Sequence, residues 1–401
     1  MQTSVVKFGG TSVGTTQKIQ VIAEKLVSRK RQGESLVVVV SAMGKRTDEL
    51  VGMAKAITPN PDKREMDMLL STGEQVTIAL MTMAIKSLGV KAISMTGAQA
   101  RILTDTTHSK ARIHNIDHEN IQSHLKNDHI VVVAGFQGVT ENGDITTLGR
   151  GGSDTTAVSL AAVLGANCEI YTDVDGVYTI DPRKYPKAKK LTTISYDEML
   201  EMASLGAGVI DARAIEMGHK YKVPITIAHN TMAIAGTLIK EVSPEMEKKA
   251  VTGMSLNENI IMVSVSQLPF NSTTVAEVFK EISRHNIIVD MISLTPPIGG
   301  NVSIAFTIDS DDLNELKTVL GALKEKNPTC AFSFNEELVM LSVVGVGMVS
   351  QSGVASKVFN IFAENNIHFY QVTTSEISIS YTVHRDDFSL AVEKIAEAFD
   401  L

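Results

Sequence analysis

The sequence predicts an α/β protein: a mainly parallel sheet with helices on both faces over residues 1–240, followed by two α+β modules. Two observations carry the prediction. In the first part, short runs rich in Val and Ile alternate with longer stretches at helical spacing, the pattern of parallel strands buried on both faces and joined by helices. Beyond about residue 240 the pattern changes and then repeats itself, which marks a duplicated small domain.

Taken in order, "SVVKFGG" (4–10) is a strand that meets Lys7 and ends at Gly9 and Gly10, and "TTQKIQVIAEKLVSRK" (15–30) is an amphipathic helix. The strands "SLVVVVSAM" (35–43), "VKAISMTG" (90–97) and "HIVVVAGFQG" (129–138) follow. "SDTTAVSLAAVLGA" (153–166) is a helix entered through glycines, and "CEIYTDVDG" (168–176) and "VPITIAH" (223–229) complete the sheet. The charged stretch 240–256 reads as a linker. From there "NENIIMVSV" at Asn257 matches "NEELVMLSV" at Asn335, and the helix from Val275 matches that from Val354. "NVSIAFTIDSDDL" at Asn301 matches "EISISYTVHRDDF" at Glu376. Each copy reads strand, helix, strand, strand, helix, strand. At about 70 residues a copy buries little core alone, so the two are expected to pack together, one over 257–334 and the other over 335–401, with room for strands to interleave.

Composition narrows the function. With 44% hydrophobic and 20% charged residues the 401-residue chain reads as globular, and Lys+Arg 37 against Asp+Glu 45 leaves a charge of -8. That balance gives no overall attraction to nucleic acid or anionic membrane. No apolar run approaches a membrane span and the N-terminus lacks a signal-peptide layout, so a cytoplasmic location is expected. The two cysteines, Cys168 and Cys330, are too few and too far apart for a zinc cluster or a disulfide framework.

Strand-end motifs carry the chemistry, because ligands of open α/β sheets gather where strands end and helices begin. "KFGGTS" (7–12), "SAMGKRTD" (41–48), "RGGSDTTA" (150–157) and "YTDVDGVYTIDPR" (171–183) stand out. None is a P-loop: Arg46 follows the Gly44–Lys45 pair and the required earlier glycine is missing. Glycines beside a lysine and before a helix still suit an anion, since backbone N–H groups and the positive helix end can face it. Ser153, Asp154 and Thr155 are expected at that helix's cap. "GVGMVS" (345–350) nearly forms a dinucleotide fingerprint, but it lies in a repeat copy too small for a Rossmann unit.

Together, "VVKFGGTSV", "VVSAMGKRTDEL", "STGEQVTIALM", "GRGGSDTTA" and "TDVDGVYTIDPR" resemble the aspartokinases of the amino-acid kinase family, and the duplicated tail resembles their paired ACT modules. The resemblance implies an amino-acid-kinase-type three-layer α/β sandwich followed by two ferredoxin-like ACT domains. It implies a phosphotransferase with a carboxyl acceptor, moving the ATP γ-phosphate to L-aspartate with Mg2+ to give 4-phospho-L-aspartate. That reaction opens lysine, threonine and methionine biosynthesis. The chain length leaves no room for the homoserine dehydrogenase fused to some relatives.

By the same resemblance Lys7 and Asp154 are catalytic, with Lys7, Phe8, Gly9, Gly10, Thr172, Asp173, Tyr178, Asp181, Pro182 and Arg183 at ATP. Ser41, Thr47, Glu74, Arg150, Gly151 and Ser153 are expected at aspartate. A guanidinium such as Arg150 grips a carboxylate through two parallel hydrogen bonds, and Glu74 can accept an ammonium. Asp290, with Val289 and Met291, is the expected effector anchor, because the second copy has Tyr370 there. Lysine is the favoured feedback effector and threonine its competitor, in a homodimer or homotetramer. Asp211 and Ala212 depart from the family's usual histidine and proline. An amino-acid sensor without turnover, or a kinase for another acidic amino acid, is the alternative.

Overall fold

The computed structural model describes residues 3–230, 234–243, 246 and 249–401. The chain divides into two compact units, one of residues 1–177, 190–203 and 208–243, the other of 178–189, 204–207 and 244–401.

The first unit is built on an eight-stranded sheet. Its strands run in the order Thr193–Ser195, Thr237–Lys240, Ile225–His229, Asn167–Thr172, Thr3–Phe8, Ser35–Val40, Ile130–Ala134, Ala92–Met95. The six apolar runs of the sequence form its contiguous parallel part, and Thr237–Lys240 is antiparallel to Ile225–His229. Leu36 to Val40 have no exposed surface, as strands covered on both faces require. Because side chains alternate along a strand, Val6 and Phe8 join the core formed with the helices Thr16–Arg31 and Lys63–Ser87. Val5 and Lys7 therefore face the opposite layer, where the helix Gly152–Leu164 packs on the same strand and on the helix Ala212–Tyr221.

A four-stranded sheet that the hydrophobic pattern missed lies beside this core, in the order Ile113–Ile116, Ile102–Thr104, Gln137–Val139, Ile145–Thr147. Strands of three or four residues are too short for alternation to register. Lys63–Ser87 has the length and apolar composition to cross a membrane, but half of its most apolar window is buried in the fold. Asp67 and Glu74 are buried along it.

In the second unit, two four-stranded antiparallel sheets each carry two helices. The first orders its strands Val289–Leu294, Asn301–Asp309, Ile260–Pro269, Ala331–Asn335 and packs on the helices Ser272–Arg284 and Leu313–Lys326. The second sheet differs from the expected repeat. Among the described residues its last element is the helix Phe388–Phe399. Gly253–Asn257, from ahead of the first copy, takes the place of the expected final strand and pairs with Leu338–Val344. The linker reading of 240–256 is corrected here: residues 253–256 are strand, while 244, 245, 247 and 248 lie outside the described residues. The cause is the complete burial of Leu338–Val344, which needs a hydrogen-bonding neighbour on both edges.

Leu341 is fully buried in that central strand. Leu341→Ala is expected to cost about 2–5 kcal/mol, read as a lowered urea midpoint at unchanged slope.

Candidate active site

A cleft of about 280 Å³ opens at the carboxyl ends of the central strands and is lined by Lys7, Gly9, Gly10, Ser41, Thr47, Glu74, Phe136 and residues 149–153. Lys7 is almost wholly buried at the end of its strand. Its Nζ lies 2.5 Å from Oδ1 of Asp154. The helix carrying Asp154 begins earlier than the cap reading placed it. Gly151, at φ +70°, is the N-cap, so Ser153 and Asp154 stand in the first turn. Asp154 is thereby released from capping and its carboxylate turns to Lys7.

Two glycine turns are joined beneath this pair. Gly44 N–H donates to Gly10 O at 3.0 Å, and Ser12 N–H donates to Gly9 O at 2.9 Å. A Cβ at Gly10 would lie 2.8 Å from Ala42 O and 3.1 Å from Gly44 O, so no larger residue fits without separating the turns. Phe8 lends the site only its backbone, since its ring stacks on Tyr171 with centroids 5.1 Å apart.

On the other wall, Ser41 Oγ donates to Ser153 Oγ at 3.0 Å, and Ala42 N–H donates to Glu74 Oε1 at 3.0 Å. Glu74 is 2% exposed and its Oε2 has no hydrogen-bond partner. A buried acceptor left in this condition is costly unless a ligand satisfies it. Burial pushes the carboxyl up to about 7 against the opposing pull of its backbone hydrogen bonds. Arg150 lies exposed at the rim.

The helix Ala212–Tyr221 supports the rim. Asp211 caps it by accepting Arg213 N–H at 3.1 Å. An aspartate at this position gives the helix a defined start. Burial, and then the charge of Asp154, raise the Asp211 carboxyl above the usual range. A Cβ at Gly151 would strike Asp211 at 2.3 Å.

The remaining expected residues stand elsewhere. Asp173 borders a second cavity of about 340 Å³ with Ser12, Lys18 and His229, and Thr172 Oγ1 donates to Asp173 Oδ1 at 3.0 Å. Tyr178, Asp181, Pro182 and Arg183 belong to the second unit, where the Arg183 guanidinium donates to both carboxylate oxygens of Asp181, Nε to Oδ1 at 3.0 Å and Nη2 to Oδ2 at 2.7 Å, and Ile180 is buried in the core of the second copy. Asp290 is exposed on the edge strand, and Met291 is buried at φ +50° within a bulge. Met291 N–H donates to Asp290 Oδ1 at 2.7 Å.

Sequence reasoning missed Phe136, Gly149 and Gly152 as cleft residues. The signal was the "GFQG" turn, whose Phe136 takes a positive φ of 69°.

Comparison with known proteins adds to this geometry. Residues 2–229 match the amino acid kinase family and residues 341–399 match an ACT domain. The chain is 48% identical over 398 residues to aspartokinase 2 of Bacillus subtilis (strain 168), covering 99% of this chain and 97% of that protein. It is 46% identical over 398 residues to an aspartokinase of Geobacillus stearothermophilus, with the same two shares. Among solved structures, E. coli aspartokinase III in complex with aspartate and ADP (R-state) superposes with a TM-score of 0.80 at 25% identity, covering 99% of each chain.

The raised Glu74 carboxyl predicts two opposite pH trends. Its proton is retained below about pH 7 in the ligand-free protein, so KM for an ammonium-bearing substrate should rise as pH falls from 8 to 6. Its folded value exceeds the unfolded one, so its contribution to stability is largest at low pH and is lost as pH rises through about 7. Glu74→Gln should therefore flatten the KM profile, raise KM roughly thirtyfold at pH 8 for a loss of about 2 kcal/mol, and gain thermal stability over the unsubstituted protein as pH rises.

Proposed function

The chain belongs to the amino acid kinase family, among its aspartokinases, and from that premise we propose that the cleft transfers the γ-phosphoryl group of ATP to the β-carboxylate of L-aspartate. The observation that carries this reading is the Lys7–Asp154 pair opening on the same cleft as Arg150 and the unsatisfied Glu74.

The acceptor carboxylate, with a pKa of about 4, is already ionised at neutral pH, so attack needs no general base. The barrier is repulsion between anions. Catalysis then rests on positioning and on positive charge aimed at the phosphoryl group in flight. Lys7 supplies that charge, Asp154 holds its ammonium in place, and Gly9 and Gly10 leave the backbone free to approach the phosphates. Arg150 takes the α-carboxylate of aspartate, and Glu74 Oε2 takes its ammonium. Ser41, Thr47 and Ser153 offer hydroxyls, and the narrow turn at Gly151 keeps Arg150 close. Thr172 and Asp173 serve the ribose.

No three His, Cys, Asp or Glu side chains converge among the described residues. Mg2+ therefore fits as the nucleotide's own counterion, held through phosphate oxygens and water, where it neutralises phosphate charge.

Feedback by an amino acid acts through the second unit, with lysine the favoured effector and Val289, Asp290 and Met291 its anchor. Asp290 offers a carboxylate to an effector ammonium, which Tyr370 in the other copy cannot. Apolar side chains on the two edge strands, among them Ile292, Leu294 and Phe369, are about half exposed. These exposed apolar side chains favour association between chains, as a homodimer or homotetramer in the cytoplasm.

A coupled ADP-release assay tests the reading. Aspartate should drive turnover and glutamate should not, lysine or threonine should depress it, and Lys7→Ala should lower kcat by at least about a hundredfold. Effector binding without any turnover would instead identify an amino-acid sensor.

A further inference from the structure

Asp67 lies outside the cleft, seven residues before Glu74 on the helix Lys63–Ser87, and has no exposed surface. Seven residues are two helical turns, so both carboxylates leave the same face of one helix. Asp67 accepts four contacts from two other segments. Thr147 Oγ1 donates to Oδ1 at 2.6 Å, Ser109 N–H reaches both oxygens at 3.1 and 3.0 Å, and His108 Nδ1 lies 2.8 Å from Oδ2.

These segments form the footing of the Arg150 turn. Thr147 ends its strand three residues before Arg150, and its carbonyl accepts Ala111 N–H at 2.9 Å. A Cβ on Gly149 would sit 3.2 Å from Ser109 O, so the two loops are in close backbone contact. Arg213 binds both from the other side, donating to Leu148 O at 3.0 Å and to Ala111 O at 2.8 Å. A buried carboxylate is expensive to desolvate and is tolerated when its oxygens are saturated with donors. This one is saturated by the loop beneath Arg150 and by the strand that leads into it.

We propose that Asp67 is a positioning residue for acceptor recognition, fixing the Arg150 turn from behind so that Arg150 and Glu74 meet the two ends of one amino acid. The proposal rests on the kinase reading above and adds to it that a single helix sets both halves of the acceptor site. Its specific consequence is a division between substrates. The nucleotide side, at Lys7 and the glycine turns, has no contact with Asp67 and should be indifferent to it.

Steady-state kinetics of the full chain with Asp67→Asn test this, because asparagine keeps the volume but turns an amide N–H2 toward one of the donors. KM for aspartate should rise about tenfold or more while KM for ATP changes by less than about twofold. Thr147→Val, which removes one hydroxyl at constant shape, should shift the same ratio in the same direction by about threefold, and it decides the matter if Asp67→Asn does not fold. A lower melting temperature with both KM values unchanged, or an equal rise in both, would show a merely structural carboxylate and overturn the proposal. Absence of aspartate-dependent turnover in the unsubstituted protein would overturn the kinase reading itself, a result distinct from any change in the KM ratio.

Discussion

A lysine ammonium at the buried end of a central strand must be paired, and the arrangement of the first unit follows from how that pairing is met. Left alone, the charge of Lys7 would cost several kcal/mol in so dry a position. Asp154 meets it from the first turn of the facing helix. To do so the helix must start at Gly152, the residue before it must take a left-handed conformation, and the turn must pass tightly under Asp211. The ion pair thus sets the relation between strand and helix as well as the charge of the site.

The acceptor side is governed by a different economy. Beside the exposed Arg150, it is braced by buried carboxylates on one long helix. Glu74 anchors the turn after the second strand through Ala42 N–H while keeping one oxygen for a ligand. Asp67 anchors the loops around Ser109 and Thr147 with both oxygens. Rigid elements hold a ligand geometry more narrowly than loops can, which matters for a reaction that depends on positioning.

In the second unit the two sheets share chain segments. Gly253–Asn257 belongs to the sheet of the second copy although it precedes the first, and Ala331–Asn335 closes the first sheet just before the second begins. Gln371 reaches across to Ser293 Oγ at 2.6 Å, linking the equivalent edge strands of the two copies. Residues 178–189 are packed into this unit through Ile180 and Tyr185.

The sequence by itself determined the six parallel strands, because Val- and Ile-rich runs buried on both faces have few other solutions. It also determined the repeat in the tail and the residue types that meet an anion. It did not disclose the small sheet beside the core, whose strands are too short for a periodic signal. Nor did it place the last strand of the second copy, because an edge takes whichever segment reaches it. The resemblance already implied that Asp154 orients Lys7; only the tertiary structure decided that Asp154 stands inside the first turn instead of at the cap, that Phe136 lines the cleft, and that Asp67 stands behind Arg150. Those facts depend on which face each side chain leaves and on what comes near from distant parts of the chain, and local pattern carries no record of either.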